Sequence, residues 1–278
     1  MAVLVAVALS LLIGGLLGLL GGGGAILTVP VLVYVVEVEP AAAVAMSLFF
    51  VGTTSLVGAG VQARAGRVRW KIGAIFGAAA MAGAFAGGRL AHLVPATMLL
   101  VVFAAVMLVT ALSMLEGRAE RATGSRPLAV VQLLSLGAAV GVVSGFVGAG
   151  GGFLIVPALT LVGGLAMQEA VGTSLFVIAL QSFAGLAGHI GHVTVDWRLA
   201  LLMTAAAVVG MVAGSFSGAK LSADALRRAF AWLVLAMGLF VLGKQLPLPW
   251  MVFVGAAVLS AALVITRKTT RTPGRRHA

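Results

Sequence analysis

Long and nearly uninterrupted apolar stretches follow one another along the chain, separated by short glycine-rich or charged segments. Apolar and polar positions do not alternate within these stretches, so the pattern excludes the strands of an outer-membrane barrel. A helix that crosses the hydrocarbon core of a bilayer needs about 20 consecutive apolar residues. The pattern therefore predicts an all-α polytopic membrane protein.

The same pattern occurs twice, with a shift of 127 residues and no gap. Pro30 falls on Pro157, and Trp70 falls on Trp197. Apolar composition alone does not align a proline, a tryptophan and many glycines in one register. The chain is therefore predicted to consist of two related copies. The coinciding glycines include Gly18 with Gly145, Gly21 with Gly148, Gly24 with Gly151, Gly58 with Gly185 and Gly87 with Gly214.

Each copy contains five apolar segments, and one further segment follows the second copy. We divide the chain into a first repeat (1–115), a linker (116–127), a second repeat (128–243) and an extra helix with a basic tail (244–278). Residues 1–20 lack the basic start of a signal peptide and are predicted to be a mature helix. The segments are 2–20, 25–36, 41–62, 70–92 and 96–115, then 128–147, 152–164, 168–189, 197–218 and 225–243, and finally 247–266.

Positive charges predict that the two copies have opposite orientations. An odd number of crossings inverts the second copy relative to the first, and cytoplasmic loops are enriched in Lys and Arg. The loop 62–71 holds four basic residues, whereas its counterpart 189–198 holds only Arg198, against Asp196. The tail holds five Lys or Arg residues between positions 267 and 276. We therefore predict two inverted repeats in the inner membrane, with a cytoplasmic C-terminus.

The second segment of each copy is too short to cross a membrane upright. Segments 25–36 and 152–164 reach about 18 to 20 Å, compared with a hydrocarbon core of about 30 Å. Each one either forms a hairpin with the segment before it and turns back inside the membrane, or crosses at a steep tilt. In both cases the glycine turn must be buried in protein or line a watery cavity. Paired, glycine-interrupted segments in inverted halves are typical of a transporter's binding site.

The glycine turns favour an anion as the ligand. A helix that begins after Gly24 or Gly152 presents free backbone N–H groups and the positive end of its dipole, and glycine lets a ligand come close. The alternative is that these glycines only allow helices to pack closely. The predicted binding residues at the turns are Gly22, Gly23, Gly24, Ala25, Thr28, Gly150, Gly151, Gly152 and Phe153.

Four polar side chains, two in the third segment of each copy, extend this predicted site. Ser47 and Thr54 are seven residues apart, as are their counterparts Ser174 and Gln181. Seven residues make almost two helical turns, so each pair shares one face of its helix. Hydroxyl and amide donors suit an oxyanion. The alternative is that they bond their own helix backbone or hold neighbouring helices together.

Charge, histidine and cysteine content narrow the chemistry. The net charge of +11 lies in the loops and the tail, which fits membrane topology rather than binding of nucleic acid. No Asp or Glu stands near the middle of a segment, which argues against a carboxylate relay, and the chain has no cysteine. We therefore expect no cofactor and no metal. His189 and His192 either couple transport to protons or are solvated loop residues.

Three pairs of motifs resemble the sulfite exporter TauE/SafE family of membrane permeases. They are GLLGGGGAILTVP with GFVGAGGGFLIVP, AMSLFFVGTTS with VGTSLFVIALQS, and the tryptophan loops GRVRW with GHVTVDW. The first copy departs from the second with Ala45 and Met46 in place of Gly172 and Thr173, and with Arg69 in place of Asp196. The resemblance covers both copies, and therefore nearly the whole chain.

The resemblance implies transport of a sulfur-containing anion such as sulfite, a sulfonate or thiosulfate. The partners expected from it are this small anion and the lipid bilayer. An anion channel and a non-transporting membrane scaffold or assembly factor are the alternative functions. An enzyme is not expected, because the segments show no convergent His, Asp, Glu or Cys side chains.

Overall fold

The computed structural model describes residues 2–91, 96–116, 130–147, 152–189 and 195–245. These ranges contain no strand, and the predicted all-α membrane protein is confirmed. The first half of the chain forms α1 (Ala2–Leu20), a 3-10 helix (Gly23–Leu27), α2 (Thr28–Tyr34), α3 (Pro40–Arg64), α4 (Trp70–Ala91) and α5 (Ala96–Leu115). The second half forms α6 (Val130–Val147), α7 (Gly152–Pro157), a π-helical turn (Ala158–Val162), α8 (Met167–His189), α9 (Trp197–Lys220) and α10 (Ala223–Gln245).

Proline, glycine and charged residues end the helices where the apolar segments end. The helix α3 has Pro40 at its first position, and the chain leaves it through Gly66, whose φ of +71° favours glycine. The helix α9 begins after Asp196, whose carboxylate accepts the backbone N–H of Leu199 at 3.1 Å. The ten segments therefore coincide with helices to within a turn. The eleventh, 247–266, lies outside the described residues, as do the basic tail and most of the linker.

Four of the described helices are long and apolar enough to cross a membrane by length and composition alone. They contain the stretches Ala42–Arg64, Met167–Ala187, Trp197–Gly218 and Ala223–Gly243. The helices α1, α4 and α6 contribute shorter apolar stretches. The chain is therefore a multi-pass membrane protein.

Glycines allow the backbones of α1 and α9, and those of α6 and α4, to come into direct contact. A Cβ atom at Gly14 would overlap the carbonyl oxygen of Ala207, and one at Gly141 would overlap that of Ala80. Only glycine allows two helix backbones to approach this closely. Gly14 and Gly141 are 127 residues apart, and so are Ala80 and Ala207. Each half therefore packs its first helix on the fourth helix of the other half, through equivalent residues.

The helices α3 and α8 cross each other and run antiparallel. Moving forward along α3, Gly52 lies against Ser182 and Gly58 lies against Leu175, so contacts move backward along α8. One buried apolar cluster joins residues of both halves around this crossing. Its largest fully buried side chains include Ile13, Leu17, Phe50, Phe76, Ile155 and Phe230.

Candidate functional site

The first glycine turn reverses the chain at Gly21. Its φ of +78° lies in the left-handed region that favours glycine, and its N–H donates to the carbonyl of Leu17 at 2.8 Å, which closes α1. The 3-10 helix then begins at Gly23, and Gly22 is its cap. The predicted helix start after Gly24 falls inside this 3-10 helix, two residues after its first residue and three residues before α2 begins at Thr28.

Gly21, Gly23 and Gly24 of this turn each face a different neighbour. A Cβ at Gly21 would lie 2.7 Å from Ser174 Oγ and 3.0 Å from a methyl group of Val156, so this position touches the second half. A Cβ at Gly23 would lie 2.9 Å from Leu233 of α10. A Cβ at Gly24 would lie 2.6 Å from the carbonyl oxygen of Ile13, back in α1. Close helix packing therefore accounts for Gly23 and Gly24.

Only part of the second glycine turn is described. Gly150 and Gly151 lie outside the described residues, and Gly152 is the first residue of α7. The backbone of Phe153 belongs to the first turn of α7. In the first half, Ala25 is buried within the 3-10 helix and Thr28 opens α2 with no exposed surface. Thr28 is therefore the described turn residue that brings a side-chain hydroxyl into the interior.

Ser47 and Ser174 satisfy their hydroxyl groups within their own helices. Ser47 Oγ donates to the carbonyl of Val44 at 2.8 Å, and Ser174 Oγ donates to the carbonyl of Val171 at 2.8 Å. These two bonds are equivalent at a shift of 127 residues. They match the alternative interpretation of these serines, in which the hydroxyl bonds the helix backbone.

Four buried hydroxyl and amide atoms have no hydrogen-bond partner in the described structure: Thr28 Oγ1, Thr54 Oγ1, Ser55 Oγ and Gln181 Nε2. Thr28, Thr54 and Ser55 have no exposed surface at all. A buried donor without an acceptor costs about 1–3 kcal/mol, and a membrane offers no water to replace the acceptor. Each of these atoms therefore keeps a donor that no described protein group uses.

Three of these four donors lie on α3 and α8, and the fourth, Thr28 Oγ1, lies on α2. Thr54 and Ser55 lie between Gly52 and Gly58, which both contact α8. Gln181 stands next to Ser182, the residue that Gly52 touches, and it is the counterpart of Thr54 in the other copy. The helix α2, which begins with Thr28, packs against α3. The predicted site residues with unpartnered donors therefore lie on α3 and on two helices, α2 and α8, that pack against it.

An ion pair joins the two halves at one end of the α3–α8 crossing. Arg69 Nη2 lies 2.6 Å from Glu169 Oε1, and the backbone N–H of Arg69 donates to Thr173 Oγ1 at 3.0 Å. The hydrogen bond and the charge of Glu169 raise the pKa of the Arg69 guanidinium above its usual value. An arginine side chain keeps its charge throughout the physiological range, so this pair does not lose its positive partner there.

Sequence reasoning missed a buried arginine in the second turn of α10. Arg227 is 8% exposed and lies inside the predicted segment 225–243, where a charged residue signals function. Its Nη2 pairs with Asp224 Oδ1 at 2.8 Å. Its Nε and Nη1 are buried without a partner among the described residues. In the same ranges, no group of three or more His, Asp or Glu side chains is placed to hold a metal ion.

The sequence is similar to one protein family and to several known membrane proteins. Residues 6–241 match the family model described as sulfite exporter TauE/SafE. A probable membrane transporter protein of Xylella fastidiosa (strain 9a5c) is 33% identical over 241 residues, which cover 84% of this chain and 92% of the relative. One of Bacillus subtilis (strain 168) is 31% identical over 215 residues, with 75% and 86% covered.

A more distant relative extends the similarity to an archaeon. A probable membrane transporter protein of Methanocaldococcus jannaschii is 25% identical over 255 residues, which cover 84% of this chain and 94% of the relative. No solved structure matches the chain. The family model matches residues 6–241, a range that includes both glycine turns and the helices α3 and α8.

Proposed function

Because the chain belongs to the sulfite exporter TauE/SafE family of membrane transporters, which are not enzymes, we propose that it is a secondary-type permease for a small sulfur-containing anion. The substrate class is sulfite, a sulfonate or thiosulfate. The family description provides sulfite, and the other anions share its negative charge and its several oxygen acceptors. In this proposal the protein spans the inner membrane with a cytoplasmic C-terminus.

The observation that carries the proposal is the set of buried donors without partners: Thr28 Oγ1, Thr54 Oγ1, Ser55 Oγ and Gln181 Nε2. Hydroxyl and amide N–H groups donate to an oxyanion, and hydrogen bonds to a charged acceptor are about twice as strong as neutral ones. The three hydroxyl groups can also accept, whereas the amide nitrogen of Gln181 can only donate. The Gln181 amide N–H is therefore the group that favours an anionic substrate over a cationic one.

Contacts between the halves support an alternating-access mechanism. The close approach of Gly14 to Ala207 recurs as that of Gly141 to Ala80. The edge-to-face ring contact of Phe49 with Trp197 recurs as that of Phe176 with Trp70. Inverted repeats that pack through equivalent contacts can exchange their two arrangements by rocking around a fixed site. In the proposal, this site is the α3–α8 crossing.

A ligand screen on the purified full-length protein tests the proposal. Sulfite, thiosulfate and a small sulfonate are added separately, and the midpoint of thermal unfolding is measured against concentration. Because a ligand that binds only the folded state stabilises it by mass action, we expect a saturable rise for at least one of these anions. The potassium and sodium concentrations are held constant with chloride as the control anion. A midpoint that none of the three anions raises above chloride would contradict the proposal.

A further inference from the structure

Arg227 is a buried charged side chain with unused hydrogen-bonding capacity. Arginine is almost never fully buried unless it is paired, and this one is 8% exposed. One nitrogen, Nη2, pairs with Asp224 Oδ1, whereas Nε and Nη1 have no hydrogen-bond partner among the described residues. A buried guanidinium with unsatisfied N–H groups is costly, because charged donors lose more on leaving water than neutral ones. Nε and Nη1 of Arg227 can therefore each donate a hydrogen bond to a further acceptor.

Arg227 lies on α10 between Asp224, which is half-exposed, and Phe230, which packs against the first glycine turn. Asp224, Arg227 and Phe230 are three residues apart and share one face of the helix. The exposed fraction of these residues falls along this face, from 50% for the Asp224 side chain to 9% for the Arg227 side chain and 0% for Phe230. Phe230 in turn lies against Gly23, where a Cβ would be 3.6 Å from its ring.

The direction of the side chain brings the guanidinium toward the outer end of this face. Helical side chains lean toward the N-terminus of their helix, and the bond to Asp224, three residues earlier, agrees with this. Arg227 and Phe230 are separated by only about 4.5 Å along the helix axis. The guanidinium therefore lies beside the half-exposed carboxylate of Asp224, and its Cα lies about one turn before Phe230, the residue that contacts the glycine turn.

We propose that Arg227 binds a small oxyanion at a site between the surface at Asp224 and the first glycine turn. The planar guanidinium fork matches the oxygen atoms of an oxyanion, and Asp224 competes for the same positive charge. The phosphate of a lipid headgroup has the same chemistry. Because protein encloses Nε and Nη1, the geometry favours a small free anion over a headgroup at the lipid surface. The ligand class rests on the proposed transport function.

Binding of sulfite to the purified full-length protein tests this site. The sulfite concentration that gives half of the maximal thermal stabilisation is measured for the wild type and for Arg227→Gln, Arg227→Lys and Arg228→Gln. We expect this concentration to rise about tenfold or more in Arg227→Gln, because charge-assisted hydrogen bonds are lost. Arg227→Lys should lie between the two, since lysine keeps the charge but not the fork.

Arg228→Gln is the matched control, because Arg228 is the next residue of α10, is exposed, and donates from Nε to the carbonyl of Asp224 at 3.3 Å. It should bind sulfite as the wild type does. Asp224→Asn removes the competing carboxylate, so we expect it to bind sulfite more tightly. If the ion pair is only structural, we expect a different result: Asp224→Asn and Arg227→Gln both lower stability, and neither changes the sulfite concentration that gives half of the maximal stabilisation. If Arg227→Gln does not fold, the sulfite titrations of Asp224→Asn and Arg227→Lys still test the proposal.

Repeating the titration with and without added phosphatidylglycerol distinguishes a free oxyanion from the phosphate of a lipid headgroup. An effect of Arg227→Gln that appears only with this anionic lipid would overturn the proposal and assign the site to a headgroup. A full sulfite response in Arg227→Gln would overturn the proposal and leave the proposed transport function standing. A wild-type protein that responds to no sulfur oxyanion would overturn both.

Discussion

At the scale of single residues, Thr54 and Gln181 differ from Ser47 and Ser174 in the hydrogen bonds that their side chains make. The two serines bond carbonyl groups three residues earlier in their own helices, whereas Thr54 Oγ1 and Gln181 Nε2 remain without a partner. The sequence spacing treats all four alike, because it shows which face a residue shares but not which rotamer its side chain adopts. The structure therefore narrows the predicted side-chain donors on α3 and α8 to Thr54 and Gln181, with Ser55 beside them.

Thr54→Val is expected to weaken transport of sulfite and to stabilise the folded protein at the same time. The substitution keeps the branched shape and removes an unpartnered hydroxyl, so the folded state loses an unsatisfied donor worth about 1–3 kcal/mol. Transport loses a hydrogen bond to a charged substrate, and we expect kcat/KM to fall about tenfold or more. Uptake rates in proteoliposomes and the thermal unfolding midpoint give the two readouts.

The matched control for Thr54→Val is Thr204→Val. Thr204 is also buried in a long helix, but its Oγ1 donates to the carbonyl of Ala200 at 2.6 Å. Removal of this satisfied hydroxyl should leave kcat/KM unchanged and should not raise the unfolding midpoint. Equal effects of the two substitutions on transport would show that Thr54 has no special role.

Glu37→Gly is expected to stabilise the protein by relieving the backbone. Glu37 has a φ of +61°, and its counterpart in the other copy is Gly164, with a φ of +66°. The same hydrogen bond closes both turns, from Val38 N–H to Leu32 at 3.0 Å and from Leu165 N–H to Leu159 at 3.0 Å. Such helix ends prefer glycine, so we expect a gain of about 1 kcal/mol.

The thermal unfolding midpoint of purified Glu37→Gly checks this gain, with Glu37→Ala as the control. Alanine removes the carboxylate but keeps the strained backbone, so its midpoint should not rise. A gain of the same size in both variants would assign the effect to the charge and not to the backbone.

At the scale of helices, the glycine contacts between α1 and α9 tolerate no side chain. A Cβ at Gly14 would overlap the Ala207 carbonyl, and a helix backbone cannot yield as a flexible side chain does. We expect Gly14→Ala and its counterpart Gly141→Ala to destabilise the protein by about 1–3 kcal/mol each. Gly60→Ala on α3 is the control, because nothing lies within 4 Å of that position. Thermal unfolding of the three variants is the measurement, and a Gly14→Ala variant as stable as Gly60→Ala would contradict the packing.

Helix positions were largely predictable from the sequence, and the conformation of the turns was not. Pro40, Gly66 and Asp196 interrupt apolar stretches that must be helical in a membrane, so the boundaries follow from local chemistry. The start of the 3-10 helix at Gly23 and the π-helical turn at Ala158–Val162 depend on how the hairpins pack against their neighbours. A run of four glycines does not show which of its members turns the chain.

At the scale of the whole molecule, the two halves make equivalent contacts but differ in charge at one position. Arg69 reaches Glu169 in the other half, whereas the equivalent residue, Asp196, caps its own helix α9. The position equivalent to Glu169 is Ala42. An ion pair therefore connects the halves at Arg69 and has no equivalent at Asp196. This difference agrees with two ends that face different sides of the membrane.

Labelling of single cysteines tests the proposed inverted orientation. The chain has no cysteine of its own, so each introduced thiol is the only one. Ala65 and Asp196 are exposed and lie in the two loops that correspond to each other. We expect Asp196→Cys to react with a membrane-impermeant maleimide on intact cells, and Ala65→Cys to react only after the membrane is opened. Labelling of both from the same side would contradict the inversion.

Transport by the purified protein tests the central claim most directly. Proteoliposomes are loaded with unlabelled sulfite or with chloride, and the initial uptake of labelled sulfite is measured against its outside concentration. An alternating-access permease returns faster when it carries substrate, so we expect saturable uptake that internal sulfite accelerates. Uptake no greater than in empty liposomes, or uptake that neither saturates nor responds to internal sulfite, would contradict the account, and the second result would indicate a channel.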